Sequence, residues 1–305
     1  MPTPDRQPHA ERPLNAITDL RETLAELELR LGDATTAASN PARLGVTAAT
    51  LEGGRATKFV ARRAHEPFPA ASTIKVFVLQ ALMEGVAAGR HALTTEIELR
   101  ASDQVPGTGV LKVLSPGRAY TLLDLATLMI VVSDNTATNL LIDLLGVAEV
   151  NRVTANHGWT GTALSGKLQQ AGAPGSAPRS LSVTTPADLA DYFGKLWLGE
   201  LLPPHLTTLC QQIYRRQQYG ELGRALDYDP YSVELGAGRL NIASKSGSLR
   251  GVRNDAGVLE PATGEPLVVL AVMTSGCPDE RFHSDNLGAR VVGEAAALVY
   301  ARRPA

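Results

Sequence analysis

The sequence lacks the features that mark several large classes of protein. It has two cysteines in 305 residues, Cys210 and Cys277, too few for a disulfide-stabilised extracellular scaffold, and no local pattern pairs them, so both are expected to be reduced. Its six histidines show no His-x-x-x-His spacing and no cysteine partner motif, so no metal and no cofactor is expected. No run approaches the ~20 apolar residues of a membrane-spanning helix, and no membrane association is expected.

An excess of charge of one sign is absent as well. The chain has 29 Lys and Arg against 31 Asp and Glu, a net charge of -2, which does not favour a nucleic-acid partner. A small-molecule substrate and a monomeric state are expected instead. Residues 1–20 lack the ~7–15-residue apolar core of a secretory signal, so a cytoplasmic location is expected for the sequence as written. A periplasmic or secreted location would require an export segment that this sequence does not contain.

The sequence does contain a clear succession of strand, helix and strand patterns. Leucines at helical spacing predict an N-terminal helix over 14–31. Strands are predicted at 44–49 and 58–61, joined by a Gly53-Gly54 turn, and again at 242–245, 255–259 and 267–273. Helices are predicted over 74–86, 122–131, 137–145, 186–198, 203–218 and 289–301.

This succession predicts an α/β protein of the α+β type. Residues 1–13 are expected to be a disordered tail, and residues 14–303 a single catalytic domain. Residues 14–70 and 226–303 would form a lobe around an antiparallel sheet built from both chain ends and flanked by terminal helices. Residues 71–225 would form an inserted, all-helical lobe, with the active site between the two lobes.

Three short motifs with chemistry-bearing side chains occur in a fixed order. A Ser-x-x-Lys motif alone is expected about once by chance in a chain of this length, but the ordered set of three is improbable by chance. The motifs are Ser72-Thr73-Ile74-Lys75, Ser133-Asp134-Asn135 and Lys245-Ser246-Gly247.

The first motif combines a hydroxyl with an amine. Ser72 opens an apolar helix, and Lys75 follows one turn later on the same helix face, within reach of the hydroxyl proton. The amine must be neutral to act as a base, and burial together with a second cation, for which Lys245 is the candidate, would favour the neutral form. The alternative is a helix-capping serine followed by a surface lysine.

The other two motifs fit the same chemistry. Ser133 lies at a turn before a helix, where Asp134 or Asn135 can cap the helix while Ser133 passes a proton to a leaving nitrogen. Lys245 ends a strand-like run, and Gly247 allows a ligand to approach the backbone. Taken alone, the second motif would be a capping turn and the third a solvated turn lysine.

Together, the ordered motifs resemble those of class A β-lactamases and the related serine penicillin-recognising enzymes, over residues 14–303. The resemblance implies that Ser72 is the nucleophile, Lys75 its activating base and Ser133 a proton relay. Lys245, with Ser246, is implied as an electrostatic anchor for the substrate.

The same resemblance implies a set of substrate-binding groups. Asn135 would bind the substrate amide, and the backbone N–H groups of Ser72 and Ser248 would form an oxyanion hole beside Gly247. Arg253 is a candidate for a substrate carboxylate, with a structural strand arginine as the alternative.

One feature departs from the class A pattern. Those enzymes carry a Glu-x-x-x-Asn stretch whose glutamate activates the deacylating water. Here the corresponding positions are Gln169 and Ala173, and residues 150–187 contain no Asp or Glu. A glutamine amide cannot accept a proton, and loss of a positioned base typically lowers a rate by about 10²–10⁴. Turnover of β-lactams is therefore expected to be slow.

Three functions are compatible with these residues. The first is a β-lactamase-family serine hydrolase that forms an acyl-enzyme on Ser72 with β-lactams or related amides and esters. The second is a D,D-peptidase or esterase. The third is a binding module for penicillin or peptidoglycan fragments that acylates and stays acylated.

Overall fold

Both ends of the chain build one sheet, and the middle of the chain builds a mainly helical lobe beside it. The computed structural model describes residues 16–32, 41–169, 181–231, 238–262 and 264–304, so the predicted tail, 1–13, lies outside the described residues. In chain order the helices and strands are α1 (Ala16–Leu31), β1 (Arg43–Glu52), β2 (Arg55–Arg62), β3 (Phe68–Pro69), α2 (Lys75–Ala87), β4 (Glu96–Glu98), β5 (Ala119–Thr121), α3 (Leu122–Val131), α4 (Asn135–Leu145), α5 (Val147–Asn156), β6 (Val183–Thr184), α6 (Pro186–Trp197), α7 (Pro204–Tyr214), β7 (Leu240–Leu249), β8 (Val252–Pro261), β9 (Leu267–Ser275) and α8 (Leu287–Ala301).

The main sheet has five strands in the order β2-β1-β9-β8-β7, and every neighbouring pair is antiparallel. The strand β1 therefore lies between β2 and β9, which come from opposite ends of the chain. Gly53 and Gly54 turn the chain between β1 and β2 with φ of +56° and +76°, values that a tight hairpin turn favours. The predicted hairpin and the α+β fold with a sheet from both chain ends are confirmed.

The terminal helices α1 and α8 cover one face of this sheet. Four leucines of α1, at the helical spacing noted in the sequence, are at most 3% exposed and share one apolar core with α8 and the sheet: Leu20, Leu24, Leu27 and Leu31. An ion pair of 2.6 Å joins Arg30 of α1 to Glu294 of α8. Because both helices bury apolar stripes on the same face, the opposite face of the sheet is left for the helical lobe.

The second lobe is mainly helical, as expected, but it is not all-helical. Among the described residues, three short strands lie within 71–225, the stretch predicted to be all-helical: β4 pairs with β5, and β6 pairs with β3, which comes just before that stretch. Strands of two or three residues are too short to give a detectable period. The helix α5 was also not predicted. The lobe packs around a cluster of rings in which Phe77 lies 5.2 Å from Trp159 and 5.7 Å from Tyr192.

Cys210 and Cys277 are free thiols buried in two different cores, the first in the helical lobe and the second between the sheet and the terminal helices. Burial raises the pKa of Cys210 to about 12, which keeps this thiol protonated and unreactive. In the described part of the chain, no helix has both the length and the apolarity needed to cross a bilayer. Nor do three or more His, Cys, Asp or Glu side chains among those residues converge on a metal position.

Candidate active site

A cleft of about 760 Å³ brings the three sequence motifs together. Seven of the ten residues that the sequence singled out line it: Ser72, Ser133, Asn135, Gln169, Ser246, Gly247 and Ser248. Lys75 and Lys245 lie beneath its surface, since neither is accessible to solvent. Arg253 does not line the cleft.

Ser72 lies in a short 3-10 turn, Ala71–Ile74, that leads directly into α2. Ala71, just before it, has φ of +48°, a left-handed conformation that costs a non-glycine residue about 1–3 kcal/mol. The strand β7 lies so close to this turn that a Cβ on Gly247 would be 2.8 Å from the backbone nitrogen of Ser72. Turn and strand backbones therefore meet at the floor of the cleft, an arrangement suited to holding an oxyanion between them.

Lys75 begins α2 one turn after Ser72, and its buried amine is surrounded by acceptors. Its Nζ donates to the backbone oxygen of Ser133 at 2.7 Å, to Ser133 Oγ at 3.1 Å and to Asn135 Oδ1 at 2.9 Å. Burial lowers the pKa of Lys75 well below its usual value, the positive charge of Lys245 lowers it further, and Asp134 opposes both. The neutral amine needed for a base is therefore favoured.

The second motif combines a strained backbone with a helix cap. Ser133 has φ of +52°, again in the left-handed region. Asp134 caps α4 by accepting from the backbone of Ala137 at 3.0 Å, and its other oxygen accepts from Val110 at 2.6 Å and Leu111 at 2.8 Å. The motif can therefore cap a helix and relay a proton at the same time. Asp134 is the cap, and it fixes the turn that presents Ser133 to both lysines.

Lys245 reaches the same hydroxyl from the sheet. On β7, its Nζ donates to Ser133 Oγ at 3.1 Å and to the backbone oxygen of Ser246 at 2.7 Å. Burial lowers the pKa of Lys245 to about 7, against the opposing charge of Asp255. Alternation along β7 places Lys245 and Gly247 on the face of the sheet toward Ser72, and Ser246 and Ser248 on the other face. Both serines still line the cleft, because β7 is the edge strand of the sheet.

Gln169 lines the cleft at the position where the class A pattern has its glutamate. It is exposed, with φ of +53°, and an added Cβ on Gly107 would lie 3.5 Å from its Cγ. Asn139 of α4 anchors this segment, since its side chain accepts from the backbone nitrogen of Leu168 at 2.7 Å and donates to its oxygen at 2.9 Å. Ala173 lies outside the described residues. Among the described residues that line the cleft, only Glu221 carries a carboxylate.

Arg253 is 3% exposed, and its guanidinium is engaged within the protein. It donates to the backbone oxygens of Leu249 and Val252, each at 2.7 Å, and of Arg281. The ring of Phe282, which does line the cleft, lies 5.0 Å from its Cζ. A purely structural role for this strand arginine accounts for these contacts. A role of Arg253 in binding a substrate carboxylate stays a prediction.

Comparison with known proteins assigns the chain to one family. The model of the β-lactamase enzyme family matches residues 25–302. This chain belongs to that family. A β-lactamase of Streptomyces fradiae is 32% identical over 271 residues, which cover 86% of this chain and 81% of the relative.

Solved structures place the chain among the class A β-lactamase-like serine hydrolases. The β-lactamase of Sphaerobacter thermophilus has a TM-score of 0.75 and 31% identity, and the match covers 93% of this chain and 99% of that one. A leucine-to-glutamate mutant of PBP-A, solved as its acyl-enzyme complex with penicillin G, has a TM-score of 0.74 and 29% identity, covering 95% and 97% of the two chains.

Sequence reasoning missed three residues of this β-lactamase-family site. The glycines on either side of Thr108 indicate a loop that could rim the site, but nothing in the sequence points to the hydrogen bond of 2.6 Å that the Thr108 hydroxyl donates to the Ser133 backbone oxygen. Asn139 stands four residues after Asn135, on the same face of α4, and this spacing could have revealed it. Glu221 lines the cleft from a segment that the sequence left unassigned.

Proposed function

We propose that this chain is a serine acyl hydrolase that is acylated at Ser72 by β-lactams or related amides and esters and releases the acyl group slowly. The observation that carries the proposal is the convergence of two buried amines, from Lys75 and Lys245, on the hydroxyl of Ser133 in the cleft that Ser72 lines. Relatives named β-lactamases support the substrate class.

In the proposed acylation, the neutral amine of Lys75 takes the proton of the Ser72 hydroxyl, and Ser72 Oγ attacks the substrate carbonyl. The N–H groups of Ser72 and Ser248 hold the oxyanion that forms. The bond from the carbonyl carbon to its nitrogen or oxygen leaving atom then breaks. The proton passes from Lys75 through Ser133 to that atom, which leaves an ester on Ser72 and a neutral Lys75.

The hydrogen bonds of Ser133 support this route. A hydroxyl has one proton to donate and two lone pairs, so Ser133 Oγ can accept from both lysine amines and keep its own proton for the leaving atom. Both lysines are within one hydrogen bond of the relay. The backbones of Ala71 and Ser133 are strained, and strained residues cluster at functional sites.

Slow release follows from the other wall of the cleft. Gln169 has no carboxylate to activate water, and the carboxylate of Glu221 forms an ion pair with Arg224. A missing general base lowers a hydrolytic rate by about 10²–10⁴. The acyl-enzyme is therefore expected to accumulate during turnover.

The lack of a base also favours a second candidate, a penicillin-binding protein that acylates and stays acylated. The PBP-A mutant, solved as an acyl-enzyme complex with penicillin G, supports it by analogy. A D,D-peptidase or esterase would share the same acylation step and would differ in releasing its own acyl group quickly.

An intact-mass time course with penicillin G tests the proposal. We expect an adduct that maps to Ser72, accumulates and decays slowly, and is absent in Ser72→Ala. The matched control is Ser165→Ala, which removes another hydroxyl that lines the cleft and should leave labelling unchanged. Failure of the wild type to label, or an adduct on another serine, would contradict the proposal. Rapid turnover of a chromogenic cephalosporin, or of an ester or a D-Ala-D-Ala peptide, would identify a fast hydrolase instead.

A further inference from the structure

The polar end of the cleft beyond Ser246 contains an unexpected carboxylate. Glu221 lines the cleft just before a 3-10 turn, Leu222–Ala225, and its side chain is only 12% exposed. The resemblance to class A enzymes implies that Lys245 and Ser246 anchor the substrate, so a carboxylate on the leaving-group side of the reacting carbonyl, as in penicillin G, would lie near this end of the cleft, which Ser246 and Ser248 also line. The charge at this end of the cleft therefore bears on which substrates enter.

A second, fully buried carboxylate lies directly behind Glu221. Asp255 is opposite Ser246 in the β7–β8 ladder, so the two side chains share a face of the sheet. Its Oδ2 accepts from the backbone nitrogens of Glu221 at 2.6 Å and Leu222 at 3.0 Å, and its Oδ1 has no hydrogen-bond partner. The Asp255 carboxylate thus fixes Glu221 against the sheet.

The cations on this face are already engaged. The guanidinium of Arg253 donates to three backbone oxygens and lies against the Phe282 ring. Arg224 forms an ion pair with Glu221 and donates to the backbone oxygen of Ser284 at 2.7 Å. Arg250 is 77% exposed and 3.5 Å from Glu280.

An incoming carboxylate would therefore meet the carboxylate of Glu221, whose ion-pair partner Arg224 does not itself line the cleft. Lys167 also lines the cleft, and its amine pairs with Asp143 at 2.5 Å. Lys245 is buried below the cleft, and its amine donates to Ser133 and to the Ser246 backbone. A half-buried unit charge within a Debye length, about 8 Å at physiological salt, changes the binding of an anion by roughly tenfold.

We propose that Glu221 is a specificity determinant that disfavours acyl substrates with a carboxylate on the leaving-group side of the reacting carbonyl, so that the cleft prefers uncharged amides and esters. This inference rests on the proposed acylation of Ser72. It does not require Glu221 to take part in the chemistry, because it concerns the charge that a substrate presents to the wall of the cleft.

The test compares penicillin G with its methyl ester, two probes with the same β-lactam and the same acyl group. The quantity measured is the ratio of Ser72 acylation rates, acid over ester, by intact mass. Glu221→Gln should raise this ratio about tenfold, since it removes the charge and keeps the shape. Glu221→Asp keeps the charge and should keep the wild-type ratio. Glu280→Gln makes the same charge change on a 58% exposed side chain outside the cleft and should also leave the ratio unchanged.

Salt provides a second measurement on the wild-type protein, which guards against a variant that fails to fold. The wild-type ratio should rise with ionic strength, because salt screens a repulsion. An unchanged ratio in folded Glu221→Gln, or a wild-type ratio that falls with salt, would overturn the inference while acylation itself stands. If neither probe acylates Ser72, the proposed function fails and the inference fails with it.

Discussion

Lys75 of α2 and Lys245 of β7 approach one oxygen atom, each with its Nζ 3.1 Å from Ser133 Oγ. Both side chains are inaccessible to solvent, and the charge of Lys245 lowers the pKa of Lys75. Two buried amines that share a hydroxyl cannot both be protonated without a large electrostatic penalty. The pair is therefore expected to hold its protons as a unit, with apparent pKa values that belong to the pair.

We expect the two lysines to be non-additive in acylation. Lys75→Ala and Lys245→Ala should each lower the rate of Ser72 acylation at least ~10²-fold. The double mutant should be little slower than the slower single mutant, because the effects of groups that act as one unit do not add. Stopped-flow or intact-mass acylation kinetics provide the measurement. A double mutant that shows the product of the two single losses would mean that the lysines act independently.

Acylation should fall above about pH 7. Lys245 has a pKa lowered to about 7, so it loses its charge above that pH, and with it the effect that keeps Lys75 neutral and Ser133 hydrogen-bonded. Lys245→Arg would hold its charge at every accessible pH and should remove this decline. A wild-type acylation rate with the methyl ester that still rises from pH 7 to 9 would contradict the assignment.

Folding stability should change in the opposite direction over the same range. The unfolded pKa of a lysine is about 10.4, so between pH 7 and 10 the unfolded chain binds more protons at Lys245 than the folded chain does, and the free energy of unfolding rises with pH. The limiting slope is about 1.4 kcal/mol per pH unit. Urea unfolding of the wild type and Lys245→Met at pH 7 and 9 isolates this effect. Equal pH dependence in the two proteins would show that Lys245 is charged in the folded state.

Restoring a carboxylate at residue 169 should speed deacylation. Gln169 lines the cleft, and Gln169→Glu could recover up to the ~10²–10⁴ that a general base supplies. Gln218→Glu makes the same change on an exposed side chain outside the cleft and is the matched control. The decay of the penicillin G adduct gives the rate. A correctly folded Gln169→Glu with unchanged decay would mean that this segment does not place its side chain beside the ester.

Gly247→Ala should damage the floor of the cleft. The new Cβ would lie 2.8 Å from Ser72 N and 2.9 Å from Thr73 N, and backbone atoms cannot rotate away as a flexible side chain can. We expect a loss of about 1–3 kcal/mol in stability from overpacking and a larger loss in acylation. Gly220→Ala, whose Cβ would be 3.5 Å from Ser244 Oγ, is the control and should be tolerated. Wild-type acylation in Gly247→Ala would show that strand and turn can move apart freely.

The order of elements and most of the site could be predicted from the sequence because their signals are local. The Gly53-Gly54 turn, the leucine spacing of α1 and the three motifs each occupy a few consecutive residues. The burial of Lys75 followed from its apolar neighbours, and the second cation from the third motif. What the structure adds is that both lysines meet at one oxygen, which depends on how three separate segments pack.

The parts that were missed depend on contacts between distant segments. The strand β3 is two residues long and exists because β6, more than a hundred residues later, lies beside it. Glu221 becomes part of the cleft because Asp255 on β8 binds its backbone nitrogen. Neither relation has a counterpart in local composition or periodicity.

The position of β1 between β2 and β9 constrains how the protein is made. Arg43 pairs with Ser275, 232 residues further along the chain. At a synthesis rate of roughly 5–20 residues per second, about 10–50 s pass between the synthesis of β1 and that of β9, which covers the open edge of β1. During that interval the β1–β2 hairpin exposes an apolar strand edge, the kind of surface that chaperones bind and that aggregates when it is left uncovered. Yield in cells should therefore respond to synthesis rate and chaperone supply more than the stability of the finished protein would indicate.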